Sequence, residues 1–280
     1  MRGSYQTAFR FPAISDQWVD LFTGRYQVVG GLPQVQNAHD FDTNPVYPLS
    51  GPNPIVDKPV TDNGPLALPA FGPEKVRAIE LGYKGLHLQK MLLVDGYIYQ
   101  NVYTGFMTQQ TLAQNPNTPE EKRYETTVST DFPVTAFGWA LGADIRLAKG
   151  YLVRGNVNYN KLQTDLSEHP GLQSGFNTPD YRFNLSLSNR QAWKNVGFAI
   201  NYRWQNEFLW ESSFGVAEVP AYSSLDASVN VKLSRMHAML KVGGTNVLNK
   251  YYTTNLGSGQ IGGLYYVSIT FDNVLAGANN

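Results

Sequence analysis

The side chains in this 280-residue chain best suited to chemistry are aromatic rings and amides that lie outside its regular stretches. Trp18, Phe22, Tyr26, Phe41 and Tyr47 fall in one proline-rich tract, and Phe208, Trp210 and Phe214 in a separate long link at 208–221. An exposed ring offers a flat apolar face, so a set of them can stack on sugar rings or aryl groups while neighbouring amides fix orientation. Trp18, Tyr26, Tyr47, Trp210 and Phe214 are the candidate ligand contacts on this reasoning; the competing reading is that such rings pack the loops together or rest at an interface. Other chemistry is thin. His39, His87, His169 and His237 are far apart, with neither an HExxH pair nor a repeated ligand spacing, so neither a metal centre nor a cofactor is expected. Gly257-Ser258-Gly259 lacks the strand-to-helix flanks of a nucleophile elbow, no glycine loop has phosphate-binding spacing, and no catalytic residue is expected.

Binding residues in loops need a scaffold, and here the scaffold reads as β throughout. From Ser224 to Leu233 the residues alternate without a slip: Leu225, Ala227, Val229, Val231 and Leu233 against Ser224, Asp226, Ser228, Asn230 and Lys232. That is a strand with one dry and one wet face. The same period recurs over residues 2 to 10, 76 to 85, 90 to 106, 137 to 147, 151 to 160, 181 to 188, 196 to 205, 238 to 244 and 265 to 271, giving about ten strands. In the runs from 137 to 205 no Lys, Arg, Asp or Glu falls on the dry face. A basic residue turned to hydrocarbon costs about 2–4 kcal/mol near the bilayer midplane, so a lipid-facing surface would select this pattern. Several strands reach the nine or so residues that cross a bilayer at a tilt. Short links near 86–89, 149–150, 190–195 and 234–235 alternate with long ones at 11–73, 109–122, 163–178, 208–221 and 250–262. Short turns at one rim and long loops at the other are the signature of an outer-membrane barrel. Tyr151, Tyr159, Tyr181, Trp204, Tyr265 and Phe271 lie near strand ends, where aromatic girdles belong. Arg146, Arg154, Arg182, Arg203 and Asp226 fall on the wet face, which would line a lumen.

Composition agrees. The chain carries 16% charged residues, and its 17 Tyr, 14 Phe and 5 Trp suit a surface in contact with lipid. Its formal net charge of zero gives no electrostatic case for a nucleic-acid partner. The N-terminus enters a strand pattern at once, without a secretory leader, as a mature or truncated chain would. The 11–73 loop is rich in proline, including Pro33, Pro45, Pro48, Pro59, Pro65 and Pro69, which argues against further strands inside it; its length suggests an ordered cap or binding loop.

Three stretches carry a family resemblance. Ala8-Phe9-Arg10-Phe11-Pro12, then Pro73-Glu74-Lys75 with Glu80-Leu81-Gly82-Tyr83-Lys84-Gly85, then Asn246-Val247-Leu248-Asn249-Lys250-Tyr251-Tyr252 before a glycine-rich loop and a final aromatic-ended strand, resemble in order the C-terminal barrel motifs of TonB-dependent outer-membrane receptors. The resemblance implies a single domain over residues 1–280, an antiparallel transmembrane β-barrel of about ten strands that forms the C-terminal half of a barrel of about 22, without a plug domain. It implies the outer membrane of a Gram-negative bacterium as location, and import of a scarce nutrient such as a siderophore, oligosaccharide or peptide. The implied partners are outer-membrane lipid, the N-terminal strands and plug that complete the barrel, the TonB complex acting through that plug, and the nutrient itself. The lumenal arginines would then hydrogen-bond to the plug. Trp204-Gln205-Asn206-Glu207-Phe208 with Val219-Pro220-Ala221-Tyr222 resembles the starch-utilisation type, which works with a surface lipoprotein. Two alternatives stay open: a self-contained small-barrel pore or adhesin, and a soluble β-sandwich carbohydrate-binding module.

Overall fold

A computed structural model describes residues 1–24, 26–53, 55–166 and 168–271. In chain order the strands are β1 (Arg2–Arg10), β2 (Asp20–Phe22), β3 (Gln27–Val29), β4 (Val46–Pro48), β5 (Glu74–His87), β6 (Leu92–Thr104), β7 (Met107–Gln114) and β8 (Lys122–Ser129). They continue as β9 (Val134–Arg146), β10 (Tyr151–Leu162), β11 (Tyr181–Trp193), β12 (Val196–Gln205), β13 (Phe208–Ser212), β14 (Gly215–Val219), β15 (Tyr222–Leu233), β16 (Ala238–Thr245) and β17 (Leu264–Phe271). Two one-turn helices, α1 (Ile14–Trp18) and α2 (Pro33–Asn37), lie between β1 and β4.

Ten of these strands form one antiparallel sheet in the order β1-β5-β6-β9-β10-β11-β12-β15-β16-β17. Register carries the dry face across strands as continuous rows. Leu81, Ile98, Trp139, Tyr159 and Tyr181 are successive partners, as are Phe198, Val229, Val242 and Val267. Most of these residues are exposed, Val229 at 46% and Val267 at 69%, while Trp139, Tyr159 and Phe198 are half-buried; Leu185, Ile200 and Ile269 on the same face are exposed as well. The opposite face carries rows such as Asn156, Asn184, Arg203 and Ser224. An alternating sheet that leaves its apolar side exposed is the reverse of a soluble sandwich.

The turns follow from local chemistry. Lys149 and Gly150 both have positive φ, at 57° and 77°, as the tight link between β9 and β10 requires. In the Asn246–Tyr252 box, Asn246 and Asn249 adopt φ of 47° and 50°, a region asparagine tolerates better than most residues. Asn246 Nδ2 donates to the Lys250 carbonyl at 2.8 Å, and Asn249 Oδ1 accepts from the Gly263 amide at 2.7 Å, so the two amides shape the last long connection.

The 11–73 segment departs from the proline-based expectation. It contains β2, β3, β4 and both helices, and the expected 109–122 loop is the end of a hairpin formed by β7 and β8. These strands make a second, five-stranded sheet, order β2-β3-β8-β7-β4, with β3 and β8 parallel. Proline does not prevent this, because the segment supplies only three-residue strands: Pro33 opens α2 at its first turn, and Pro48 ends β4 at the sheet edge. The molecule's buried apolar cluster lies here, in Val29, Val35, Val46, Leu112 and Tyr124, flanked by Leu32, Phe41, Leu66 and Leu68. The cap therefore has an ordinary soluble core, and the large sheet does not.

Among the described residues β1 pairs only with β5 and β17 only with β16, so the large sheet is open at both edges.

Candidate ligand-binding site

Four of the long connections converge at the loop rim. The first is the 11–73 segment and the second the β7–β8 hairpin; the third joins β10 to β11, and the fourth carries the β13–β14 hairpin. Buried carboxylates tie them together. Glu74, at the top of β5, accepts from the Met107 amide at 3.0 Å and from Arg10 Nη2 at 3.4 Å. Glu211 of β13 accepts from the Ser174 and Gly175 amides at 2.8 and 3.0 Å and from the Ser174 hydroxyl, while Asn177 Nδ2 donates to its carbonyl at 2.8 Å. Glu125 of β8 is fully buried; it accepts from Gln173 Nε2 at 2.9 Å and from the Ser213 hydroxyl at the hairpin tip. Gln173 in turn donates to the Pro52 carbonyl at 3.3 Å. Each acceptor has found donors on a different segment, so these hydrogen bonds fix the loops relative to one another alongside the apolar cluster that joins the 11–73 segment to the β7–β8 hairpin.

Between them opens a cleft of about 610 Å³ lined by Tyr103, Phe106, Gln109, Gln173, Phe176 and Phe214, with Arg10, Asp16, Glu74 and Glu211 at its sides. Tyr103 and Phe106 meet edge to face at 5.6 Å. Arg10, Glu74 and Tyr103 lie on the polar side of their strands, so the cleft opens on the polar side of the sheet. Rings and amides around a concavity can hold a ligand by stacking and orient it by hydrogen bonds.

Of the five rings singled out from sequence, Phe214 lines this cleft, at the hairpin tip and 82% exposed. Trp18 is exposed at the end of α1, Tyr47 is half-buried in β4 opposite Ala113, and Trp210 meets Phe208 at 6.3 Å within the hairpin. Tyr26 is 2% exposed; burial, with the Glu125 charge nearby, pushes its phenol up to about 12. Tyr103, Phe106, Gln109, Gln173, Phe176 and Glu211 were not anticipated. Glu211 alone left a signal, as a carboxylate directly after the apolar run Phe208-Leu209-Trp210. The rest come together only through long-range pairing.

Arg146, Arg154, Arg182, Arg203 and Asp226 all sit on the polar face. Arg154 pairs with Asp144 at 3.2 Å and Arg203 with Asp226 at 2.7 Å, each bridging adjacent strands. Near Arg182 and Arg203, Tyr222 and Tyr252 stack at 4.2 Å. Among the strand-end aromatics, Tyr159 lies between Trp139 and Tyr181 toward the loop rim, at 6.1 and 4.8 Å, with Trp204 and Tyr265 on the same side of the sheet. Tyr151 and Phe271 stand at the turn rim. Among the described residues no group of three or more His, Asp or Glu side chains is placed to hold a metal, and no helix is long and apolar enough to cross a membrane, which says nothing of strands.

Residues 1–249 match the family model described as TonB dependent receptor-like, beta-barrel. No curated protein matches the chain. Among solved structures, a Pseudomonas aeruginosa FpvA complex with a heterologous pyoverdine and iron matches at TM-score 0.53 and 15% identity, over 95% of this chain and 30% of that one. The siderophore receptor PiuA from Acinetobacter baumannii matches at TM-score 0.50 and 15% identity, over 71% of this chain and 29% of that one. The FrpB iron transporter from Neisseria meningitidis matches at TM-score 0.50 and 14% identity, over 74% of this chain and 33% of that one. At these identities the likeness is one of fold, and the chain spans about a third of each relative's length.

Proposed function

The chain belongs to the TonB-dependent receptor β-barrel family, and on that premise we propose that it is the C-terminal barrel segment of an outer-membrane receptor that binds a scarce nutrient at the loop rim and imports it. The observation that carries this is the aromatic and amide cleft, held by four long connections, on the polar side of a sheet whose other side is apolar and exposed. Strands of 8 to 14 residues match the length that crosses a bilayer at a tilt. Two open edges are not viable in hydrocarbon, so preceding strands close the barrel, and the lumenal arginines meet a plug through which the TonB complex delivers energy. We read the activity as binding and transport, not catalysis. Siderophore, oligosaccharide and peptide are the nutrient classes to test, the first because FpvA is seen with a pyoverdine and iron and PiuA is a siderophore receptor, the others because of the starch-utilisation-like stretch and the surface lipoprotein it implies.

The test is growth on a panel of single nutrient sources by cells carrying the full-length receptor, followed by binding of the active nutrient to Phe214→Ala and Tyr103→Ala variants. Each truncation is expected to weaken binding about tenfold, the range of a buried aromatic contact. Unchanged affinity in both would remove the cleft from the reading, and a full-length gene without plug-coding sequence would remove the receptor.

A further inference from the structure

Charge is unevenly divided in the cleft at the loop rim. Among the described residues its lining holds three carboxylates, Asp16, Glu74 and Glu211, against one guanidinium, that of Arg10. Arg10 lies 3.4 Å from Glu74 and so offsets one of the three. The chain's own donors fall on one oxygen of each carboxylate. Glu74 Oε2 accepts from the Met107 amide and Arg10, Glu211 Oε2 from the Ser174 and Gly175 amides and the Ser174 hydroxyl, and Asp16 Oδ2 from the Ala13 amide. Glu74 Oε1, Glu211 Oε1 and Asp16 Oδ1 accept nothing from the described residues. Donors are scarce by comparison, because the Gln173 amide directs its hydrogens to Glu125 and to the Pro52 carbonyl. Tyr103, Phe106, Phe176 and Phe214 put four rings around the same space, with Phe214 widely exposed.

A hollow rich in acceptors and carrying excess negative charge repels an anion and attracts a donor-bearing cation, the more so as binding expels water. The rings act in the same direction, since the negative face of an aromatic ring draws a cation lying over it. At about 610 Å³ the cleft is in the range that encloses a drug-sized molecule, well beyond a lone amine. We propose that it selects a short basic peptide, whose protonated amines or guanidinium groups meet the open oxygens of Asp16, Glu74 and Glu211 while their aliphatic stems lie on the rings. Arg182 and Arg203 line a separate hollow on β11 and β12 that shares no residue with the cleft. The inference rests on the reading of this cleft as the receptor's binding site, and it narrows the nutrient classes above to one.

The experiment is calorimetric titration of the full-length receptor with end-capped Lys-Ala-Lys, Gln-Ala-Gln and Glu-Ala-Glu, and with pentane-1,5-diamine as a free amine. The lysine peptide is expected to bind about tenfold more tightly than the glutamine peptide, and the glutamate peptide more weakly than either. Added salt should weaken the lysine peptide alone. Glu74→Gln with Glu211→Gln keeps an acceptor for each amide and should weaken the lysine peptide about fivefold per charge removed, leaving the glutamine peptide as it was. That second result separates lost charge from a loosened cap. Equal affinity for the lysine and glutamine peptides overturns the proposal, as does a double variant that binds the lysine peptide as tightly as wild type. The diamine binding as well as the lysine peptide overturns the peptide assignment. A nutrient that carries no cation, yet loses affinity in Phe214→Ala, sinks this inference and leaves the cleft reading standing. The cleft reading itself falls when Phe214→Ala and Tyr103→Ala change the affinity of no ligand.

Discussion

Glu125 shows how one side chain can hold a loop cluster together. Burial raises its pKa above the ordinary carboxylate range, outweighing the hydrogen bonds from Ser213 and Gln173 that act the other way. A carboxyl whose folded pKa lies above its unfolded value binds its proton more tightly when folded. The resulting stability is complete below the unfolded pKa and is lost as pH climbs through the folded one. The cap is therefore expected to loosen as pH rises out of the acid range, and Glu125→Gln to flatten that slope, as read by amide hydrogen exchange over residues 122–129 across pH. Exchange in wild type that does not vary with pH beyond its chemical rate would refute this. Glu125→Leu is different: it leaves the Ser213 hydroxyl without its acceptor and Gln173 with only the Pro52 carbonyl, and should cost about 1–3 kcal/mol at any pH.

At the scale of elements, the cap depends on close backbone approaches as much as on its apolar cluster. Leu172 bridges to Gln110 of β7, and the preceding Gly171 accepts from the Thr111 amide at 2.9 Å and from its hydroxyl at 3.0 Å. Gly171 has φ of +74°, and a Cβ there would stand 2.6 Å from the Thr111 carbonyl oxygen. Gly171→Ala is therefore expected to cost about 1–3 kcal/mol and to free the β10–β11 connection. Limited proteolysis should then cut between residues 163 and 180 while the large sheet stays protected; an unchanged digest would show that the approach is not limiting. The period-2 pattern made the ten long strands legible, because each shows a different solvent to each face over eight residues or more. The cap strands were not legible for the opposite reason. Three-residue strands leave no period to read, and β7 and β8 are mostly buried on both faces, so threonine and glutamine alternate with nothing.

For the whole molecule, the proposed membrane-spanning reading divides stability between two solvents. Val229→Arg puts a cation on the exposed apolar face and is expected to cost about 2–4 kcal/mol in a bilayer, whereas Asn230→Arg, one residue along on the polar face, should be tolerated. The fraction of full-length receptor refolded into vesicles, scored by heat-modifiable migration, separates the two; equal yields would argue that the apolar face does not meet lipid. Alternation and the spacing of short and long links determined the ten strands of the large sheet and the assignment of their faces, and three short motif stretches carried the family resemblance, since each depends on near neighbours. Only the tertiary structure decided that four distant loops fold into a capped cleft, and that Phe214 shares it with Tyr103, Phe106, Gln173 and Phe176 while Tyr26 lies in the core. The physical reason is that these contacts are made by hydrogen bonds and packing between segments tens of residues apart, with buried carboxylates choosing donors on other loops, and no local period in the chain encodes which segments will meet.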